Sequence, residues 1–278
     1  MITFRNPAVW ATAFAGALLF GSEAKAQDLN ILPGLLSAGG VLDNPDPDVV
    51  FSIGLGAGGR PAYFGSDEYE YGATGSFQFD YVRFPNGFSF GSANAVGFSQ
   101  GASVVGSVRY IDERISMDYP EIDGLDDIDR TFEVGMGVAY EQEYYRAYGA
   151  ARYGFFGHEA FVGELGADYI SRPVRGLTLT VGPRIELGDS KFTDTYFGVT
   201  PEESVESGLD AYSAGGGLYS AGLEATALYQ FNPLWGVRGR LNWSRLLDDA
   251  ADSPITLAGD DDQFRIKIEL IRRIALDF

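Results

Sequence analysis

Polar and apolar residues alternate with period two along most of this chain. Near its end Phe264, Ile266, Ile268 and Leu270 interleave with Gln263, Arg265, Lys267 and Glu269, and Ile274, Leu276 and Phe278 resume the same parity. Such alternation gives a strand one apolar and one polar face. Val49, Phe51, Ile53 and Leu55 predict a first strand, and Phe77, Phe79 and Tyr81 a second, ended by the turn signal Pro85-Asn86-Gly87. Phe88 and Phe90 open a weak third, and Val104, Val108 and Tyr110 mark a fourth. The clearest case is Phe132, Val134, Met136, Val138 and Tyr140, with Glu133, Gly135, Gly137 and Ala139 opposite. Further strands are read at Ala147–Phe155, Phe161–Tyr169, Leu177–Leu187, Leu223–Phe231 before the turn Asn232-Pro233, and Trp235–Trp243.

A membrane barrel explains this pattern, because its outer face must be apolar and its interior polar. The expected architecture is an all-β, transmembrane, antiparallel up-and-down β-barrel over 49–278. Bacterial barrels have an even strand count, and eleven segments are visible, so twelve strands are expected, with ten as the alternative. The uncounted strand is sought in 86–101 or 211–222. Connections at 142–144, 171–176 and 232–234 are short, whereas 114–130, 189–210 and 247–262 are long and acidic. Long loops belong outside and short turns face the periplasm. Phe278 is the expected closing aromatic, an interface anchor for the last strand. Two residues resist the pattern. Arg272 falls on the apolar parity, which a bulge or register shift would relieve. Pro183 falls on the lipid parity and removes a ladder donor.

Residues 1–26 read as a secretory leader. Arg5 supplies the positive end, Pro7 to Phe20 the apolar stretch, and Ala24-Lys25-Ala26 a small-x-small cleavage site before Gln27. The apolar stretch is short of the roughly 20 residues a spanning helix needs. Residues 27–48, with Pro33, Pro45 and Pro47, read as a flexible lead-in. The destination is the outer membrane of a Gram-negative cell.

Composition sharpens the class. There is no Cys among 278 residues, so no disulfide and no thiolate metal site. The 16 Tyr and 20 Phe suit interfacial girdles. The formal charge is −19 and becomes one unit more negative without the leader. That excludes nucleic acid as a partner, which requires basic patches. It fits solvated external loops and, more specifically, cation bridging to lipopolysaccharide beside the membrane lipid.

The loops are more specific than the strands. Arg60-Pro61, Tyr63 and Gly65-Ser66-Asp67 form one motif, and Gly124-Leu125-Asp126-Asp127-Ile128-Asp129 a second. Tyr196-Phe197-Gly198-Val199-Thr200 leads to Ser207-Gly208-Leu209, Tyr212 and Gly217-Leu218; Leu246 leads to Asp248-Asp249-Ala250-Ala251-Asp252-Ser253-Pro254-Ile255. Together these stretches closely resemble the MipA/OmpV family of outer-membrane proteins, from about Val49 to Phe278. The chain departs from the family in lacking a Tyr two residues before Phe278. The resemblance implies a barrel acting as a scaffold that joins a lytic murein transglycosylase to a murein synthase; other members are surface antigens or stress-responsive proteins. It attaches no catalytic residue and no cofactor. Physically, Gly65, Gly124, Gly198 and Gly208 are expected to permit turns with positive φ, and Pro254 an extended segment. Asp248, Asp249 and Asp252 are expected to cap turns rather than bind a metal, since calcium needs six to eight oxygens.

An enzyme is the weak reading. The single His158 lies near a strand end on the same side as Asp248 and Asp249, but a lone turn histidine is expected to be exposed and inert. There is no Gly-x-Ser-x-Gly elbow and no phosphate loop. A narrow, weakly cation-selective channel is the stronger rival to the scaffold, because inward Gly and Ala, as at 131–140, leave volume inside a barrel of this size.

Overall fold

Each alternating segment becomes a strand. The computed structural model describes residues 47–84, 89–91 and 101–276. Within them lie β1 (Val49–Pro61), β2 (Tyr69–Arg83), β3 (Ser89–Gly91), β4 (Gly101–Ile111), β5 (Thr131–Glu141) and β6 (Tyr145–Phe156). They are followed by β7 (Phe161–Val174), β8 (Leu177–Gly188), β9 (Gly217–Gln230), β10 (Trp235–Leu246) and β11 (Asp262–Leu276). All eleven belong to one antiparallel sheet in the order β3-β2-β1-β11-β10-β9-β8-β7-β6-β5-β4. The first and last strands pair from Val49 with Leu276 to Gly59 with Ile266. The edges β3 and β4 lie against each other in space, so the sheet wraps into a barrel. Of 86–101, the stretch 89–91 forms β3, and 86–88 and 92–100 fall outside the described residues. The other place proposed for an uncounted strand, 211–222, holds the start of β9 instead. The leader at 1–26, the lead-in up to residue 46 and Phe278 also fall outside the described residues.

The barrel is polar inside and apolar outside. On β5, Val134, Met136, Val138 and Tyr140 are exposed, Met136 at 68%, while Glu133 is fully buried. The pattern continues round the wall, with Leu165, Val181, Ile185, Leu223, Leu241, Ile266, Ile268 and Leu270 exposed and Arg152, Asp168, Arg184, Arg238 and Glu269 buried. In water that exposed apolar band would be far larger than the patches monomers tolerate. In a bilayer it is the face that hydrocarbon covers. Aromatic residues rim it at both ends. Tyr110 and Phe132 (5.0 Å between centroids) and Tyr153 and Phe161 (4.9 Å) mark the long-loop end; Tyr140 and Tyr145 (6.4 Å) mark the short-turn end. From Phe132 to Tyr140 the strand runs roughly 26 Å at about 3.3 Å per residue, enough for a tilted strand to cross an apolar band.

Both irregular residues are accommodated locally. The β1–β11 ladder runs without a shift through Arg272 and Arg273, and the β10–β11 ladder reaches Arg272 without one, so neither a bulge nor a register shift relieves Arg272. Instead the Arg272 guanidinium lies 4.8 Å over the ring of Trp235, its cross-strand partner. Trp235 opens β10 at the short-turn end, so this cation–π pair sits near the interface rather than at mid-membrane. Beside Pro183 the β7–β8 ladder skips from Gly166–Arg184 to Tyr169–Val181. Arg184 Nη1 takes up part of the loss by donating to the Ala167 and Pro183 carbonyls.

The long connections all emerge at the end opposite Asn232-Pro233, whose Asn232 Oδ1 accepts from the N–H of Leu234 and of Trp235, each at 2.9 Å. They are not open loops. They contain α1 (Ser190–Phe197), α2 (Pro201–Ser207), α3 (Asp248–Ala251) and α4 (Pro254–Ala258), together with a 3₁₀ turn at Ser116–Asp118. These elements pack into two buried apolar clusters at the barrel mouth.

Candidate functional site: a folded stopper above an ionic lumen

The stopper forms because its short helices are tied at their ends. Asp189 caps α1 by accepting from Phe192 N–H at 2.9 Å, and its other oxygen accepts from Phe161 N–H at 2.8 Å, which fastens the helix to β7. Four α1 residues, Phe192, Thr193, Tyr196 and Phe197, are buried. Pro201 opens α2 inside a full capping box between Thr200 and Glu203. Glu203 also accepts from Asp126 N–H at 2.8 Å, joining α2 to the 112–130 loop. Burial opposes its ionisation, but the N–H groups of Asp126 and Thr200 outweigh that and hold its carboxyl below the usual 4.5. A depressed carboxylate stabilises the fold above its unfolded pKa and loses that contribution as pH falls through the folded value. The protection of the α2 amides, taken as exchange relative to the intrinsic rate at each pH, is therefore expected to fall below about pH 4 in the parent. Glu203→Gln, which has no carboxylate to titrate, is expected to show no such acid step. An acid step of equal size in Glu203→Gln would show that Glu203 is not its source.

Ser253 is fully buried. Its Oγ donates to Phe197 C=O at 2.6 Å and accepts from Ile255 N–H at 3.2 Å, so it caps α4 and binds it to α1. Ser253→Ala is expected to lower unfolding stability by about 1–2 kcal/mol, read from the midpoint of denaturant unfolding. An unchanged midpoint would refute the joint assigned to it. Ser253 is extended, with φ −59° and ψ 136°, as the residue before a proline is expected to be; the extended stretch ends there, because Pro254 occupies the first turn of α4, where a proline forfeits no helical hydrogen bond.

The motif residues meet in this stopper. Tyr63, Leu125 and Val199 are buried in one cluster with Ile122 and Ile255, and Leu209 packs against it. Tyr196 and Phe197 belong to the other. Tyr63 Oη donates to Glu121 at 2.7 Å, and burial together with that carboxylate pushes its phenol well above the ordinary value. Gln263 Nε2 donates to the carbonyl of buried Ser66 at 3.3 Å. Ser207 Oγ donates to Glu203 C=O and accepts from Leu209 N–H. Gly65, Gly124 and Gly208 take φ of 91°, 95° and 78°. Gly198 does not: its φ is −73°, and glycine is needed there because a Cβ would strike Asp194. Asp248 and Asp252 are exposed on α3 and at its end, and the helix has no side-chain N-cap. Asp249 instead accepts from Gly215 N–H at 2.6 Å. Asp260, Asp261 and Asp262 bring their carboxylates within 4.8 Å of one another at the rim, where Arg245 pairs with two of them.

At the centre stands an aromatic group that the motifs did not announce. The Phe64 ring contacts Tyr196 at 4.9 Å, Phe192 and Phe197 at 6.0 Å and Tyr219 at 6.3 Å. Phe192 also meets Tyr219 at 4.8 Å and His158 at 5.1 Å. Arg109 of β4 lies over Phe192 and Arg265 of β11 over Phe64. Those contacts reach β4, the β6–β7 turn, β9, β11 and the β1–β2 turn, so the group bridges the mouth from wall to wall. Arg114 is buried behind it, with Nη1 and Nη2 donating to the Tyr196 and Asp126 carbonyls. Burial lowers its affinity for the proton.

Beneath the stopper the inward residues form a charge network. Glu133 receives Arg109 at 2.7 and 2.8 Å, Arg152 Nε at 2.9 Å and His158 Nε2 at 3.1 Å. Arg109 continues to Glu186 at 2.9 Å, and Arg152 to Glu164 at 2.8 Å and Ser107 at 2.9 Å. Lower down, Asp168 joins Arg146 and Arg184, and Arg184 reaches Glu224 at 3.1 Å. The inward Gly and Ala positions are thus neighbours of long arginines that fill the space. Gly154 lies under the His158 ring and Gly166 under that of Tyr148, each so closely that a Cβ would overlap it.

His158 is fully buried, against the expectation of an exposed turn residue. Its Nδ1 accepts from Ala160 N–H at 3.1 Å, which places the ring proton on Nε2, toward Glu133. Its hydrogen-bond partner is that carboxylate and not Asp248 or Asp249.

An antiparallel sheet wrapped on itself, with lipid-facing apolar walls, an ionic interior and a folded stopper, defines an integral membrane β-barrel. The family model described as MltA-interacting protein MipA matches residues 53–274, and the chain belongs to that family. The MltA-interacting proteins of Escherichia coli (strain K12) and Shigella flexneri are each 36% identical over 80 residues. That stretch is 29% of this chain and 32% of either relative, so the match spans about a third of their length. Among solved structures, the outer membrane protein OprD of Pseudomonas aeruginosa is 13% identical with a TM-score of 0.32, covering 65% of this chain and 50% of that one. A bacterial polysaccharide outer membrane secretin is 10% identical with a TM-score of 0.36, covering 82% and 100%.

Proposed function

We propose that the mature protein, freed of residues 1–26, is an outer-membrane scaffold that binds a murein transglycosylase and brings it to a murein synthase. The observation that supports it best is the stopper: the most specific residues of the sequence pack into buried clusters across the barrel mouth instead of lining a passage. The relatives are named for binding MltA, and a barrel with short turns on the periplasmic side offers murein enzymes a fixed platform. Catalysis has no support in the site. His158 and Glu133 have their hydrogen bonds taken by structural partners, and neither meets solvent. Lipid and lipopolysaccharide would surround the apolar wall. The channel remains the second reading, with the lumen network as its lining.

Detergent-folded protein is expected to retain a murein transglycosylase and a murein synthase from envelope extracts, whereas an unrelated barrel retains neither. Equal recovery on both barrels would defeat the scaffold. Planar-bilayer conductance tests the channel, and the closed mouth leads us to expect little current from the parent.

A further inference from the structure

The lumen wall of β10 and β11 differs from the balanced network of β5–β8. Arg240 and Lys267 are direct cross-strand partners on the inner face. Like charges placed opposite each other destabilise a sheet. Among the described residues no carboxylate lies within ion-pair distance of Lys267, and the charged groups that face it are Glu269, Arg240, Arg265 and Arg60. Arg265 has the Phe64 ring against it and, among the described residues, makes no ion pair, Glu186 being the carboxylate that faces it. Arg240 reaches Glu224 only at 3.9 Å, and its buried Nε makes no hydrogen bond.

The register places suitable neighbours on both sides. In one direction from Arg240 the row of paired inward residues continues to Thr226 and Thr180. In the other direction from Lys267 it continues to Gly58 and Gly72. The row is therefore two hydroxyls, two cations and two positions without side chains. It offers donors and net positive charge, with the Lys267 side chain packed over Gly58, beneath a stopper that spans the opposite end. The Arg240 side chain is 38% exposed, so solvent reaches the row.

We propose that this row is a binding site for a small oxyanion, of phosphate or carboxylate type, that enters from the short-turn end. The anion would supply the charge that the Arg240–Lys267 pair lacks, with Thr226 and Thr180 donating from the side. This goes beyond the scaffold reading and does not depend on it. It also runs against the chain's overall negative charge, which resides elsewhere.

The test is calorimetric titration of the detergent-folded mature chain with inorganic phosphate and, separately, with succinate, at low ionic strength. Saturable binding of at least one is expected, weakened tenfold or more in Arg240→Gln/Lys267→Gln and unchanged in Arg245→Gln at the rim. Which of the two binds identifies the oxyanion. The bound anion should also raise the temperature at which the parent loses its folded gel mobility, and not that of the double variant. Should the double variant fail to fold, Lys267→Gln alone is put through the same two measurements. Absence of saturable binding by both anions in the parent, or undiminished binding in the folded variants, would overturn the site.

Discussion

Glu133→Ala is expected to cost about 3–5 kcal/mol of unfolding stability, because it leaves buried cations without their shared carboxylate. Glu133 accepts from Arg109, Arg152 and His158 and is fully buried. Glu186 and Glu164 still hold the outer ends of the two arginines, but neither reaches the space that Glu133 vacates. The His158 Nε2 proton would then face no acceptor. The measurement is the urea midpoint of folded gel mobility in detergent. A midpoint unchanged in Glu133→Ala would mean that the network does not hold the wall in place.

Phe192→Ala should be comparably severe, about 3–5 kcal/mol for truncating a fully buried aromatic. It removes the ring that Phe64, Tyr196, Tyr219 and His158 share. The loss should fall first on the stopper, whose helices are short and held by tertiary contacts rather than by their own length. Limited proteolysis within 189–216 is expected to speed up while the strands stay protected. Conductance should rise above that of the parent. Unchanged proteolysis and unchanged current together would show that Phe192 is not the keystone of a closed mouth.

The strands were legible because lipid on one side and an ionic lumen on the other impose a strict period on each. Where that contrast weakens, so does the reading. β2 begins at Tyr69, yet Gly72, Ala73, Thr74 and Gly75 carry no alternation, and its first half went unseen. The start of β9 at Gly217 was obscured in the same way. The stopper's helices were missed altogether, although Thr200-Pro201-Glu202-Glu203 is a legible capping box with proline at the first position. Phe64 and Tyr219 could not be singled out, since their importance lies in contacts between segments far apart in the chain. Glu133 was visible only as a polar residue on an inward parity. Its partners come from β4, β6 and the β6–β7 turn, and no local pattern joins them.

The pairing of β1 with β11 has a consequence for how the barrel is made. Hairpins such as β5–β6 and β9–β10 join neighbours in sequence and can zip as soon as both strands exist. β1 must wait for a partner more than 200 residues away, with the loop-closure entropy that such a separation entails. Until then its inner edge has no ladder, and an unpaired strand edge is an invitation to aggregate. The long interval between making the first strand and the last is thus the period in which this chain is most exposed to misassembly. A chaperone that shields β1 during that interval would protect the yield of folded barrel more than one acting on any central hairpin.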